Sequence, residues 1–275
     1  STQTLKDIAD GNHPFCERLN SANLPMIIVG AETLARSDSK AIQNYINVIG
    51  ENTNVINEAE AWNGVNILHT DAGKIGALDL GITTQKSTES KAKVVFLMGA
   101  DHFRHEDIPE DAYVIYMGTT GDEGVYYADL ILPSASYLEK QATYTNTDGR
   151  VQQTRAALGP PGYARDDWMV LRALSEEMGN PLPYDSLDEI RTRLAELAPH
   201  LVRYDVIEPT SIDQFANKPS GHTNLSRALF TDTVSNFYMT DAISRNSHIM
   251  ARCTRELNPQ KETNFKLFQQ TWITH

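Results

Sequence analysis

"PMIIVGAETLARSDSKAIQNYINVI", residues 25–49, carries the pattern that decides the fold. An apolar run ends at Gly30, and apolar side chains return at Ile42, Tyr45, Ile46 and Ile49, the spacing of one helix face. This reads as strand, turn and helix. "KVVFLMGAD", residues 93–101, repeats the device: an apolar run, Gly-Ala, then an acid. In both copies the glycine is expected to turn the chain at the strand's carboxyl end. "DAYVIYMG" (111–118) and "ADLILP" (128–133) add two more solidly apolar strands. Strands apolar on both faces suit a sheet covered by helices on both sides, hence a mostly parallel one. "WNGVNILHTDAGKIGALDLG" (62–81) is expected to be the crossover helix feeding the strand at 93. The alternation predicts a doubly wound α/β domain over roughly the first 150 residues.

Further along, the pattern changes. In "GPPGYARDDWMVLRALSEEMG" (159–179), Asp166 and Asp167 precede Trp168, Val170, Leu171 and Leu174, and Gly179 follows, so a helix with acids at its start is expected. "SLDEIRTRLAELAP" (186–199) predicts a second helix, with Ser186 as N-cap and Glu189 at capping-box spacing. Beyond about residue 200 sheet signals are few and turn formers many, which predicts an extended tail lying on its own body or on a partner. Within it, "SNFYMTDAISRNSHIMARCTREL" (235–257) becomes helical from Thr240, with Asp241 near the start and Arg252 and Arg255 near the end. Phe265, Phe268 and Trp272 stand at helix-face spacing near the terminus and are expected to anchor it in a larger assembly.

Length and composition narrow the function. A chain of 275 residues can bury a core, and its 40% apolar and 22% charged content is that of a globular protein. The formal net charge of −12 argues against a nucleic-acid partner. No run approaches the roughly 20 apolar residues that span a bilayer, and "STQTLKDIAD" shows no basic stretch followed by an apolar one. Cys16 and Cys253 stand alone, without CxxC neighbours, too few to hold an iron–sulfur cluster or a Cys-rich zinc site. They read as two reduced thiols.

Motifs of chemistry are sparse. Neither Gly-Ala-acid turn is a GxGxxG or a GK[ST] phosphate loop. His102, His105, Glu106 and Asp107 in "DHFRHED" read better as a solvated loop than as a metal site. "TTGDEG" (119–124) reads as an acidic turn without a ligand, because acids there repel phosphate. Ser134 and Ser136 lack the GxSxG elbow and a placed histidine, so no catalytic residue is assigned. The one stretch that looks built to grip something follows "ADLILP": Glu139, Lys140, Thr143, Asn146, Asp148 and Arg150 within twelve positions.

That stretch, "ADLILPSASYLEKQATYTNTDGRVQQT", resembles the molybdopterin oxidoreductase superfamily, in which a strand ending in Leu-Pro leads to Glu-Lys and then Thr-x-x-Asn-x-(Glu/Asp)-Gly-Arg-x-Gln. More closely, the chain resembles the carboxyl-terminal region of the large iron–sulfur subunit family of respiratory complex I, mitochondrial form. "LKDIADGNHPF", "LPMIIVG", "GDEGVYYADLILP", "PPGYARDDWMVLRALSE", "LPYDSLDEIRTRL", "PHLVRYDVIE" and "FYMTDAISRNSHIMARC" carry the likeness over nearly the whole length. It implies a molybdopterin-oxidoreductase-like α/β domain over residues 1–200 and a tail specific to the complex I subunit over 201–275. The cysteines of that family's cluster-bearing part are absent, so the chain is expected to be a fragment or the second half of a split subunit. The implied role is structural, in the peripheral arm that passes electrons from NADH to ubiquinone. No redox cofactor is expected in the chain, and iron–sulfur clusters are expected in the missing part or a companion chain. Implied partners are other peripheral-arm subunits, among them the Cys-rich part. The implied location is the matrix side of the mitochondrial inner membrane, or the cytoplasmic face of a bacterial membrane. Glu139, Lys140, Asn146 and Arg150 then form a vestigial pocket whose groups satisfy one another and the backbone, with Arg150 bonded to Glu139 or Asp148. A working molybdopterin enzyme fragment and a free-standing nucleotide-binding protein are the alternatives. Neither has the context it needs: the former lacks metal ligands and a second dinucleotide module, the latter a phosphate fingerprint.

Overall fold

The computed structural model describes residues 1–83, 92–101, 103, 105–208, 224–230, 234 and 236–257, leaving out the side chains of Ala31 and His105. In chain order the elements are α1 (Thr2–Ala9), α2 (Phe15–Ser21), β1 (Ile27–Gly30), α3 (Ser39–Asn52), β2 (Ile56–Asn57), β3 (Trp62–Asn63), β4 (Val65–Leu68) and α4 (Lys74–Asp79). There follow β5 (Val94–Met98), β6 (Tyr113–Gly118), β7 (Leu130–Pro133), β8 (Thr143–Thr145), β9 (Val151–Gln153), α5 (Asp167–Glu177), α6 (Leu187–Leu197), α7 (Ala242–Arg245) and α8 (His248–Leu257). They divide into two compact units. One is built from Ser1–Thr83, Thr143–Gln153 and Arg191–Thr233, the other from Thr84–Ala142, Thr154–Ile190 and Val234–His275.

In the first unit β1 pairs with β4 in parallel, Ile27 opposite Val65 and Gly30 opposite Leu68. The predicted strand–turn–helix at 25–49 is present as β1, a 3-10 turn at Ala31–Ala35, and α3. Ile42 and Ile46 of α3 pack on Val29, while Ile49 packs with Leu19 and Val55. Leu5 of α1 joins both clusters. The crossover helix expected over 62–81 is a misreading. Residues 62–68 form β3 and β4, and helix is confined to the six residues of α4. Val65 and Ile67 alternate with polar partners, the period of a strand, and pairing with β1 holds that period in place. β2 and β3 form a short antiparallel pair, as do β8 and β9.

In the second unit β5, β6 and β7 make a three-stranded parallel sheet in sequential order. Leu97, Val114 and Tyr116 fill its covered face with Val95, Phe103, Ile108, Val125 and Tyr127. On the opposite face the expected cover is incomplete among the described residues, Met117 being buried there. Val94, Phe96, Met98, Tyr113 and Leu130 remain exposed, Val94 at 50% and Met98 at 41%. Of the two turn glycines, Gly99 adopts the left-handed conformation with φ 58°, as expected. Gly30, with φ −68°, does not, because β1 runs directly into a 3-10 turn.

α5 and α6 form where predicted, and Gly179 stops α5 with φ 73°. The capping box of α6 is realised. The Glu189 amide donates to Ser186 Oγ at 3.3 Å, and Glu189 Oε2 accepts the Ser186 amide at 3.0 Å. The fold is therefore mixed α/β with parallel sheets.

Candidate functional site

The polar run that looks like a ligand grip is divided between the two units. Glu139 and Lys140 lie in the turn after β7. Glu139 Oε2 accepts the Ser136 amide at 2.9 Å, and Lys140 Nζ pairs with Asp167 at 2.9 Å, at the start of α5. Asn146 and Arg150 lie in the other unit, in the turn joining β8 to β9. There Asn146 Oδ1 accepts the Arg150 amide at 3.0 Å, and Gly149 takes φ 82° to close the turn. The Arg150 guanidinium donates to the Asp205 carbonyl at 2.6 Å and stands 3.7 Å from Asp148. Asp148 is thus one of its partners, and Glu139 is not among the bonds it makes. The hairpin itself was not legible as strands, although Asp148-Gly149 is a recognised hairpin signal.

Two other places in the fold gather buried charge. Both lie just beyond the carboxyl ends of parallel strands. In the β1–α3 connection, Arg36 grips Asp38 through two bonds, Nε to Oδ1 at 2.8 Å and Nη2 to Oδ2 at 3.1 Å. The same guanidinium donates to the carbonyls of Leu229 (3.1 Å) and Ala228 (3.2 Å) and lies 5.0 Å from the centroid of the Phe230 ring. Asp38 Oδ2 also accepts the Ser226 amide at 2.9 Å, while the buried Thr2 hydroxyl donates to the Ser226 carbonyl at 2.7 Å. Leu225 packs on Val29, Ile42 and Ile46. The guanidinium bonds hold the Asp38 carboxyl below the usual carboxylate range, with the Ser226 amide adding to them and burial opposing.

The second place lies beyond β5 and β6. Asp122 pairs with Arg245 at 2.5 Å, and Asn246 Nδ2 donates to the Gly121 carbonyl at 2.7 Å. Asp101, also buried, accepts the Gly124 amide at 3.1 Å and bonds to the Tyr116 hydroxyl. Burial raises the Asp122 carboxyl, with Asp101 adding to the rise, and the Arg245 bond only partly offsets it. Burial, followed by the charges of Asp101 and Asp122, pushes the Tyr116 phenol up to about 12. Gly124 is required by this packing, since a Cβ there would lie 2.6 Å from the Tyr116 ring. "TTGDEG", expected to be a turn with nothing bound, therefore receives two side chains from residues 245 and 246.

Sequence reasoning missed Arg36, Asp38 and Arg245 and underrated Asp122. The Arg-x-Asp at 36–38 is a local signal. The partner of Asp122 lies 123 residues away and has none.

Among the described residues no group of three His, Cys, Asp or Glu side chains converges to hold a metal. His102 lies outside the described residues, as does the side chain of His105. Each of the four residues of the gripping motif makes a hydrogen bond inside its own unit. A polar depression of about 380 Å³ at the end of α3 is lined by Asn20, Glu51, Asn52, Thr53 and Asn54 and by none of the four. Among the described residues Ser134 Oγ after β7, Thr145 Oγ1 of β8 and Trp168 Nε1 of α5 are buried without hydrogen-bond partners.

Residues 1–177, more than half the chain, match the family described as molybdopterin oxidoreductase. Residues 206–253 match a second, the carboxyl-terminal region of an NADH-ubiquinone oxidoreductase subunit. The chain is 47% identical over 244 residues to the mitochondrial NADH-ubiquinone oxidoreductase 78 kDa subunit of Candida albicans, covering 86% of this chain and 34% of that one. It is 45% identical over 254 residues to the mitochondrial NADH dehydrogenase [ubiquinone] iron-sulfur protein 1 of Solanum tuberosum, covering 92% of this chain and 34% of that one. To the NADH-ubiquinone oxidoreductase 75 kDa subunit of Reclinomonas americana it is 42% identical over 258 residues, 91% and 37% of the two chains. The chain thus spans about a third of the length of the curated relatives it matches. With its parallel strands and a family match over residues 1–177, the chain belongs to the molybdopterin oxidoreductase family.

Proposed function

We propose that this chain is a structural region of the large iron–sulfur subunit of respiratory complex I, in the peripheral arm carrying electrons from NADH to ubiquinone, and that it holds no redox centre. The observation that carries the reading is the joint match, in one chain, of a molybdopterin-oxidoreductase region and the carboxyl-terminal region of an NADH-ubiquinone oxidoreductase subunit. The bonding of Glu139, Lys140, Asn146 and Arg150 supports it, because groups spent on their neighbours are not available to a cofactor. Iron–sulfur clusters belong, on this reading, to the part of the relatives' length outside this chain or to a companion chain. The partners are other peripheral-arm subunits, and the location is the matrix side of the mitochondrial inner membrane. Among the described residues no helix is long and apolar enough to cross a membrane. Residues 201–275 are the subunit-specific tail.

Exposed apolar side chains on one face of β5–β6–β7, Val94, Phe96, Met98, Tyr113 and Leu130 beside the buried Met117, support placement inside an assembly, since a parallel sheet ordinarily has both faces covered. Phe96→Asp on that face is expected to leave a folded chain that fails to enter the complex. Native gels probed for a tagged chain test this. A normally abundant complex carrying Phe96→Asp removes the face as an interface. Failure of the wild-type chain to co-purify with any Cys-rich, iron-containing polypeptide overturns the functional reading itself.

A further inference from the structure

We infer that residues 224–230 and 236–257 are the chain's own occupants of its strand ends, two straps seated where a doubly wound sheet takes a ligand. Three observations carry this. The receiving groups, Arg36 and Asp38 after β1 and Gly121 and Asp122 after β6, stand in connections at the carboxyl ends of parallel strands, the general ligand position of open α/β sheets. The bonds between strap and receiver are those by which such sheets hold ligands: the Arg36 guanidinium on the Ala228 and Leu229 carbonyls, the Ser226 amide on the Asp38 carboxylate, an ion pair of Arg245 with Asp122, and the Asn246 amide on the Gly121 carbonyl. The receivers all fall within residues 1–177, matched by one family, whereas Ser226, Ala228, Leu229, Phe230, Arg245 and Asn246 fall within 206–253, matched by the other.

The straps are local in chemistry although remote in sequence. Ser226 reaches Asp38 across 188 positions, and Arg245 reaches Asp122 across 123. Within the first strap only Leu225 enters a hydrophobic cluster. In the second, Phe237, Ile249 and Leu257 stay exposed while only Ala251 and Thr254 of α8 are buried, so the polar clamp adds to a small buried contact in fixing its seat. Such a segment detaches without dissolving the sheet beneath it. A ligand-occupied ancestor gives the same geometry a natural origin: the family's α/β frame keeps its strand-end receivers, and the added carboxyl-terminal region supplies what they hold. The inference rests on the family assignment and the geometry, and it stands whether or not the chain serves a respiratory complex.

Hydrogen exchange followed by mass spectrometry on the full chain tests it, with Arg245→Ala, the milder Asn246→Ala, and Arg36→Ala. For Arg245→Ala the expected result is an exchange increase of tenfold or more in peptides covering 119–124 and 236–257, with β5, β6 and β7 as in wild type. Asn246→Ala is expected to give a smaller increase in the same peptides. Arg36→Ala is expected to free 224–230 and leave 236–257 unchanged. Unaltered exchange in the strap peptides of Arg245→Ala overturns the inference. So does a rise of equal size through β5–β7, because the segment is then part of the core and not a seated occupant. If Arg245→Ala unfolds the chain, an Asn246→Ala exchange pattern confined to 119–124 and 236–257 still supports it, and a pattern spread through the sheet refutes it.

Discussion

Two arginine–aspartate pairs hold the two described stretches of the tail, and they differ in a way that explains what each does. Asp38 receives both arms of Arg36 and a backbone amide, and its carboxyl is held low. Asp122 receives one arm of Arg245, is at least as buried, and faces a second acid, Asp101, so burial and that charge raise its carboxyl. The same pair of residue types is a firm lock in one unit and a strained one in the other. The number of hydrogen bonds to the charged form, set against burial and neighbouring charge, decides which.

The largest effect should come from breaking the firm lock. Asp38→Asn leaves Arg36 without its charge partner and weakens the bond to Ser226, and it should lower stability more than any substitution that follows. Chemical denaturation of the full chain measures it, and a cost near zero removes the distinction between the two clamps. Asp122→Asn should cost less, about 1 kcal/mol, because a raised carboxyl already works against the fold when ionised. An equal or greater cost at 122 reverses the comparison.

The pH dependence should have opposite signs. Asp38 has a folded value below its unfolded one, near 3.9, so its stabilisation is present above that pH and is lost as pH falls through the lower folded value. The penalty of Asp38→Asn should therefore shrink in strong acid. Asp122 has a folded value above the unfolded one, so its contribution is full in acid and is lost as pH rises through that value. The penalty of Asp122→Asn should shrink towards neutrality. Unfolding midpoints between about pH 2 and 7 give both slopes, and parallel slopes refute the contrast.

The smallest effect belongs to the cap inside the second strap. Asp241 accepts amides from Ile243 and Ser244, and the Ser244 hydroxyl accepts the Asp241 amide in return. Ser244→Ala should cost about 0.5 kcal/mol and loosen α7 without unseating Arg245. Loss of the Arg245–Asp122 bond on this change would mean the cap, not the clamp, positions the strap.

Much of the frame was legible because local chemistry fixes it. Ile42, Ile46 and Ile49 mark α3, Gly179 stops α5, and Ser186 with Glu189 caps α6. Asp241 likewise caps α7 as its place in the sequence suggests. Residues 62–68 misled because Val65 and Ile67 sit ahead of a truly helical segment, and only the pairing with β1 separates the two. At the candidate site, Glu139 to Arg150 stood out as chemistry without a partner, yet the partners are Asp167 and Asp205, 27 and 55 positions further on. The clamps were invisible for the same reason. No local pattern joins Asp38 to Ser226 or Asp122 to Arg245. The terminal anchors expected at Phe265, Phe268 and Trp272 lie outside the described residues.

The central claim, a molybdopterin-oxidoreductase frame whose strand ends are taken by its own tail and which serves without a cofactor, is tested most directly by counting metal in the purified assembly that contains this chain. Elemental analysis should find iron from cluster-bearing neighbours and neither molybdenum nor tungsten. Either metal at close to one per chain, retained through gel filtration, would contradict the account.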